Sequence, residues 1–122
     1  MWGKSMWMDC KNCNSNILFG DIIRNFSKEL VEKIDMIAFG DPQVIYFGSD
    51  DKEGYTLVQL IETSNIVAHF SSKSQTMYLD VFSCKDFDPQ KVIEVVKKYF
   101  GSNVYTNYNF EYKWGINERG MF

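Results

Sequence analysis

Four side chains of this sequence are candidates for acid–base or nucleophilic chemistry: Thr56, Ser64, His69 and Cys84. His69 is the only histidine among 122 residues, and an imidazole can both take up and release a proton near neutral pH. Such a base can activate a serine hydroxyl or a cysteine thiol as a nucleophile. Ser64 lacks the flanking glycines of a hydrolase nucleophile elbow, and the sequence has no glycine-rich phosphate loop and no His-Glu-x-x-His zinc motif. These common catalytic motifs are therefore excluded.

The other two cysteines form a Cys-x-x-Cys spacing over residues 10–13. Such a pair can be redox-active or can supply half of a zinc site. A complete zinc site needs about two further ligands, and only Cys84 and His69 remain. A redox pair usually opens a helix, whereas this pair ends a segment with strand character. Ordinary reduced thiols are the favoured interpretation of Cys10 and Cys13, and we expect no metal.

The charge distribution argues against a polyanionic partner. The formal net charge is −3, and Lys97-Lys98 is the only adjacent basic pair, whereas nucleic-acid binding needs a basic patch. No apolar run is long enough to cross a bilayer, and residues 1–8 lack the continuous apolar region of a signal peptide. Hydrophobic residues make up 45% of the chain, which suffices for one core. We expect a single cytoplasmic domain over residues 1–122 that binds neither nucleic acid nor membrane.

The hydrophobic pattern predicts two helices among several strands. Apolar residues at helical spacing predict the first helix over residues 21–34. Asp88 as N-cap, Pro89 at the first helical position and Gly101 as the stop signal predict the second. Strands are predicted over residues 2–10, 55–62, 65–70, 77–84 and 104–114, with short extended segments over 36–39 and 44–47.

This order of elements predicts an α+β fold, a two-layer sandwich in which a mostly antiparallel sheet carries both helices on one face. The second face of the sheet is then left without a covering layer. In the last strand Tyr108, Phe110, Tyr112 and Trp114 alternate with polar residues, so they would cover part of this second face. Dimerisation through the sheet would bury it, and we expect a homodimer.

Five features occur here in the order and spacing of one enzyme family. Residues 3–9, GKSMWMD, match a first strand of the type GKHLILD. Thr56 lies eight residues before Ser64, and residues 64–69 keep the first, third and last positions of SHISIH. Residues 79–84 match VDVFTC with its cysteine twenty residues after the serine, and Asp88-Pro89 then opens a helix. Over nearly the whole chain the sequence resembles the S-adenosylmethionine decarboxylase proenzymes of the short prokaryotic and viral type.

The resemblance implies a protein that makes its own cofactor and needs no bound metal or coenzyme. In that family the chain cuts itself, here between Thr63 and Ser64, and the serine becomes a pyruvoyl group. Thr56 and His69 would polarise the Thr63 carbonyl and move protons, and Cys84 would protonate the substrate carbon. The pyruvoyl group would withdraw electrons while S-adenosylmethionine loses CO2, which provides the aminopropyl donor for spermidine biosynthesis.

The resemblance also suggests substrate contacts, for which the candidates are Phe47, Glu62 and Phe70. Three departures from the family pattern accompany it. Thr63 stands where the family usually has Glu or Lys, Asn65 replaces a histidine, and residues 70–73, FSSK, replace a segment of the type TWPE. Two alternatives therefore stay open. One is a non-processing, catalytically inactive relative that acts as a ligand-binding or regulatory subunit, and the other is a pyruvoyl decarboxylase retargeted to ornithine or arginine.

Overall fold

Residues 1–114, which the computed structural model describes, form one six-stranded sheet and two α-helices. Strands β1 to β6 span Trp2–Lys11, Gln43–Phe47, Gly54–Ile61, Ser64–Ser71, Thr76–Ser83 and Val104–Lys113, and helices α1 and α2 span Gly20–Lys33 and Pro89–Phe100. The strand order is β2-β3-β4-β5-β1-β6, and every neighbouring pair is antiparallel. Within this part of the chain no helix is long and apolar enough to cross a membrane.

Both helices pack on one face of the sheet and enclose a single core with it. Along β5 the side chains of Met77, Leu79 and Val81 are buried, while the residues between them are not, as strand alternation requires. The two helices meet through the rings of Phe26 and Phe100, whose centroids are 4.9 Å apart. The predicted α+β sandwich is confirmed.

Helix α2 begins and ends at the residues that the sequence predicts. The Asp88 carboxylate accepts a hydrogen bond from the Gln90 N–H at 2.9 Å, and Pro89 is the first helical residue. Gly101 adopts a left-handed φ of 65° and donates its N–H to the Lys97 carbonyl. The helix therefore returns the chain to the sheet edge at which β6 begins.

The segment over residues 36–39 differs from its predicted extended form, because it makes only an isolated bridge, between Ala38 and Ile61. Hydrogen bonds at either side of this bridge hold it beside the end of β3, with Phe39 donating to Leu60 and Glu62 donating to Ile37. Gly40, with φ of 76°, then turns the chain away before a strand can form.

The opposite face of the sheet, which we call the open face, carries large apolar side chains. Six of them have exposed fractions between 40% and 59%, namely Trp7, Ile45, Leu60, Tyr78, Tyr108 and Phe110, whereas Phe82 and Val67 on the same face are less exposed. Asp80 lies between Val67 and Trp7 in the strand register, and burial raises the pKa of its carboxyl group. Burial within a single chain therefore already disfavours the charged form of Asp80 at the centre of the open face.

Candidate active site

A tight hairpin joins β3 to β4 and carries the predicted cleavage bond. The register pairs Ile61 with Ser64, so Glu62 and Thr63 alone form the turn. Ser64 is the first residue of β4 and lies opposite Ser83, the last residue of β5. The peptide bond between Thr63 and Ser64 therefore lies where the turn enters the strand, next to the end of β5.

Cys84, directly after β5, makes two contacts with this junction. Its Sγ lies 3.9 Å from Ser64 Oγ. Its backbone N–H donates a hydrogen bond to the Thr63 carbonyl oxygen, with 3.0 Å between nitrogen and oxygen. Such a donor polarises a carbonyl and stabilises negative charge that develops on its oxygen. Sequence reasoning identified the thiol but missed the amide, because only the fold determines where a backbone N–H points.

Thr56 and His69 form a second pair on neighbouring strands. They lie directly opposite each other in the register of β3 and β4, and Thr56 Oγ1 is 2.8 Å from His69 Nδ1. His69 Nε2 is 3.1 Å from the Lys52 carbonyl oxygen, which can only accept, so Nε2 carries the hydrogen. In the neutral ring Nδ1 then accepts a hydrogen bond from the Thr56 hydroxyl. The pair holds the imidazole in one tautomer and one orientation.

The two pairs lie apart within one chain. Ser64 and His69 are five residues apart on β4. An extended strand rises about 3.3 Å per residue, so their Cα atoms are about 16 Å apart. That distance is far beyond the reach of a hydrogen bond. The structure therefore brings Ser64 together with Cys84, and Thr56 together with His69, but it does not bring the two pairs together.

A sequence model of the S-adenosylmethionine decarboxylase family matches residues 4–111. The chain belongs to this family. The crystal structure of the adenosylmethionine decarboxylase from Aquifex aeolicus VF5 superimposes with a TM-score of 0.76 at 17% sequence identity. The match covers 95% of this chain and 94% of that chain, so the two proteins share the fold. A search of curated protein sequences found no significant match.

The three candidate substrate contacts of this S-adenosylmethionine decarboxylase family member have different surroundings. The exposed ring of Phe47 lies beside His69, with the ring centroids 6.4 Å apart. Glu62 is exposed in the hairpin turn. Phe70 is fully buried on the helix side of the sheet and packs against Phe100, which argues against the predicted contact with substrate. Strand alternation explains this, because Phe70 follows His69 and points to the opposite face.

Cys10 and Cys13 are buried and are not joined by a disulfide bond. Burial is the main cause that raises the pKa of Cys10 to about 12 and the pKa of Cys13 to about 11. Both thiols are therefore protonated at neutral pH, which disfavours thiolate chemistry and metal binding. Residues 1–114 contain no cluster of metal-binding side chains.

Proposed function

We propose that the chain cleaves itself between Thr63 and Ser64 and then acts as a pyruvoyl-dependent decarboxylase of S-adenosylmethionine. The observation that carries this proposal is the hydrogen bond from the Cys84 N–H to the Thr63 carbonyl oxygen. It polarises the one carbonyl that the Ser64 hydroxyl must attack. Membership of the S-adenosylmethionine decarboxylase family supports the reaction class.

Self-cleavage proceeds through an ester. Ser64 Oγ attacks the Thr63 carbonyl carbon, the C–N bond breaks and the serine nitrogen gains a proton. Removal of the Ser64 Cα proton then breaks the Cβ–Oγ bond, which releases Thr63 as a carboxylate and leaves dehydroalanine. Water hydrolyses the dehydroalanine, ammonia leaves, and the second fragment begins with a pyruvoyl group. The proton transfers suit an imidazole near neutral pH, and His69 is the only one in the chain.

The surroundings of Ser64 fit the pyruvoyl group that would form there. The group keeps the serine Cα, Cβ and carbonyl carbon, loses the nitrogen and Oγ, and gains one keto oxygen on Cα. It would therefore need little more room than the half-buried Ser64, which lies beside Ser83 and Cys84. Once formed, it would supply the electron sink for loss of CO2. The Cys84 thiol, 3.9 Å from Ser64 Oγ, can hold the proton that replaces CO2 on the substrate carbon. Phe47 and Glu62 are the exposed candidates for contacts with the rest of the substrate.

We propose further that a second copy of the chain completes the site. About 16 Å separates Ser64 from His69 within one chain, so the nucleophile cannot use its own imidazole. Thr56 and His69 are half-buried on strands that border the open face. By strand alternation Ser64 belongs to the helix side of β4 with Ile66 and Phe70, whereas Cys84, just past β5, continues the open-face positions. The Thr63–Ser64 junction therefore lies at the rim of the open face. In a two-fold dimer with facing sheets, each copy would offer its Thr56–His69 pair to this rim of the other.

The size and chemistry of the open face support this dimer. Six strands at about 4.8 Å spacing and about eight residues of 3.3 Å each give a face of roughly 700 Å². A standard protein interface buries about 800 Å² on each partner. Exposed apolar side chains on this face, among them Trp7, Leu60 and Tyr108, are the kind of surface that marks an interaction site on a protein. A homodimer would bury the apolar side chains and create two equivalent active sites.

The substrate assignment leads to a direct prediction. Purified protein is expected to release CO2 from carboxyl-labelled S-adenosylmethionine, with far less release from ornithine or arginine at equal concentration. A Ser64→Ala variant is expected to release none, because no pyruvoyl group can form. The measurement is the trapped label per minute and per mole of protein. The product would be the aminopropyl donor for spermidine biosynthesis.

The other outcomes of this assay contradict different parts of the proposal. Release from ornithine or arginine alone would contradict the substrate and leave the cofactor intact. An uncleaved chain without decarboxylase activity would contradict the enzyme assignment and favour a ligand-binding or regulatory relative.

A further inference from the structure

We propose that Thr63 and Ser83 are positioning residues, whose paired hydroxyl groups hold the Thr63 carbonyl on the Cys84 N–H. The inference rests on the proposed self-cleavage and adds to it a specific device in the hairpin. Thr63 Oγ1 and Ser83 Oγ are 2.8 Å apart. Ser83 is the last residue of β5 and is fully buried, whereas Thr63 lies in the hairpin turn.

The hydrogen bonds around these two hydroxyl groups are complete. The Lys85 N–H donates to Ser83 Oγ at 2.9 Å. Met36 Sδ lies 3.4 Å from Thr63 Oγ1 and 3.7 Å from Ser83 Oγ. One hydroxyl hydrogen can therefore bond the neighbouring hydroxyl while the other bonds the sulfur, in either of two arrangements. Each hydroxyl group has a partner for its hydrogen, so the pair gives Thr63 a defined side-chain position.

Two successive residues thus hold two different groups of Thr63. Ser83 holds its hydroxyl, and the Cys84 N–H holds its carbonyl oxygen. Glu62, the other residue of the turn, is exposed and has no such fixation of its side chain among the described residues. Two attachment points restrict rotation of the Thr63 carbonyl. Attack by Ser64 requires a defined orientation of that carbonyl, so fixing it before reaction lowers the entropic part of the barrier.

The fixation of the Thr63 side chain also explains why a threonine stands at this position. Thr63 occupies the position before the cleavage serine, where the resemblance leads one to expect Glu or Lys. A short β-branched side chain brings its hydroxyl to Ser83 and Met36 close to the backbone, where it has few rotamers to lose. Thr63, which departs from the family pattern, therefore helps to position the carbonyl group in this chain.

The first experiment measures the strength of the hydrogen bond between the Cys84 N–H and the Thr63 carbonyl separately from cleavage. In a Ser64→Ala background, which cannot cleave, amide hydrogen exchange at Cys84 is followed by NMR. Thr63→Val keeps the shape of the side chain and removes its hydroxyl, and it is expected to speed exchange at this amide about tenfold. Thr63→Ser restores the hydroxyl and is expected to restore protection. Ser27→Ala, which removes another buried serine hydroxyl on α1, is the matched control and should leave Cys84 unchanged.

Cleavage is then measured in chains that keep Ser64. Thr63→Val is expected to slow cleavage about tenfold or more, and Thr63→Ser is expected to stay within about threefold of the wild-type rate. Unchanged exchange at Cys84 in Thr63→Val would overturn the inference, and so would an undiminished cleavage rate. Faster exchange in Thr63→Val, together with a wild-type chain that never cleaves, would instead contradict the proposed function.

Discussion

Co-expression of a His69→Ala chain with a Ser64→Ala chain is expected to restore cleavage that neither variant performs alone. In a mixed dimer the His69→Ala chain keeps its nucleophile, and the Ser64→Ala chain supplies Thr56 and His69. Loss of a general acid–base group typically lowers a rate by about 10²- to 10⁴-fold. A His69→Ala chain expressed on its own should therefore remain largely uncut. Only the His69→Ala chain should be cut in the mixture, which two different affinity tags make visible on a denaturing gel.

A matched pair of variants controls this experiment. Thr56→Val and His69→Ala both damage the Thr56–His69 pair, so a mixture of these two chains offers every Ser64 an impaired partner and should not regain cleavage. Cleavage of the Ser64→Ala chain, or equal rescue by the control mixture, would contradict a site built from two copies. Failure of rescue in a mixture proven to contain mixed dimers would also contradict it.

A Cys84→Ala variant is expected to cleave itself and yet lose most of its decarboxylase activity. The substitution keeps the backbone N–H that donates to the Thr63 carbonyl, so the first reaction retains its polarising contact. It removes the thiol 3.9 Å from Ser64 Oγ, which we expect to deliver the proton to the substrate carbon. Loss of that acid should lower kcat by about 10²- to 10⁴-fold. Mass spectrometry of the fragments and label release from S-adenosylmethionine measure the two steps separately.

Cys13→Ala is the control for this variant, because it removes a thiol that is buried away from Ser64. It should keep both reactions near the wild-type rate after allowance for any loss of folded protein. Undiminished decarboxylation by Cys84→Ala would show that the proton comes from another group. If the Cys84→Ala chain stays uncleaved, the Cys84 thiol is needed for self-cleavage instead.

Much of the fold follows from local patterns in the sequence. Asp88, Pro89 and Gly101 determine the ends of α2 through backbone hydrogen bonds within a few residues, so they can be identified without tertiary information. The alternation from Tyr108 to Trp114 likewise assigns β6 one aromatic face. Residues 36–39 were harder to predict, because their apolar character agrees with a strand and only their position beside β3 limits them to one bridge.

The candidate site was predicted as a set of residues but not as a geometry. The resemblance to the S-adenosylmethionine decarboxylase family singles out Thr56, Ser64, His69 and Cys84 by their order and spacing in the sequence, which contain no distances in space. Strand geometry decides the distances, since five residues of β4 separate Ser64 from His69 by about 16 Å. The hydrogen bonds that position Thr63 could not be predicted from the sequence for a different reason. It depends on the register between β4 and β5 and on a methionine from the segment after α1.

Denaturing mass spectrometry of the freshly purified wild-type chain, beside its Ser64→Ala variant, tests the central claim most directly. We predict two fragments from the wild type, residues 1–63 and residues 64–122, with the second carrying a pyruvoyl group in place of an amino terminus. The Ser64→Ala variant should give one chain. A single intact wild-type chain of 14.3 kDa that stays uncut over days would contradict self-cleavage and the cofactor that depends on it.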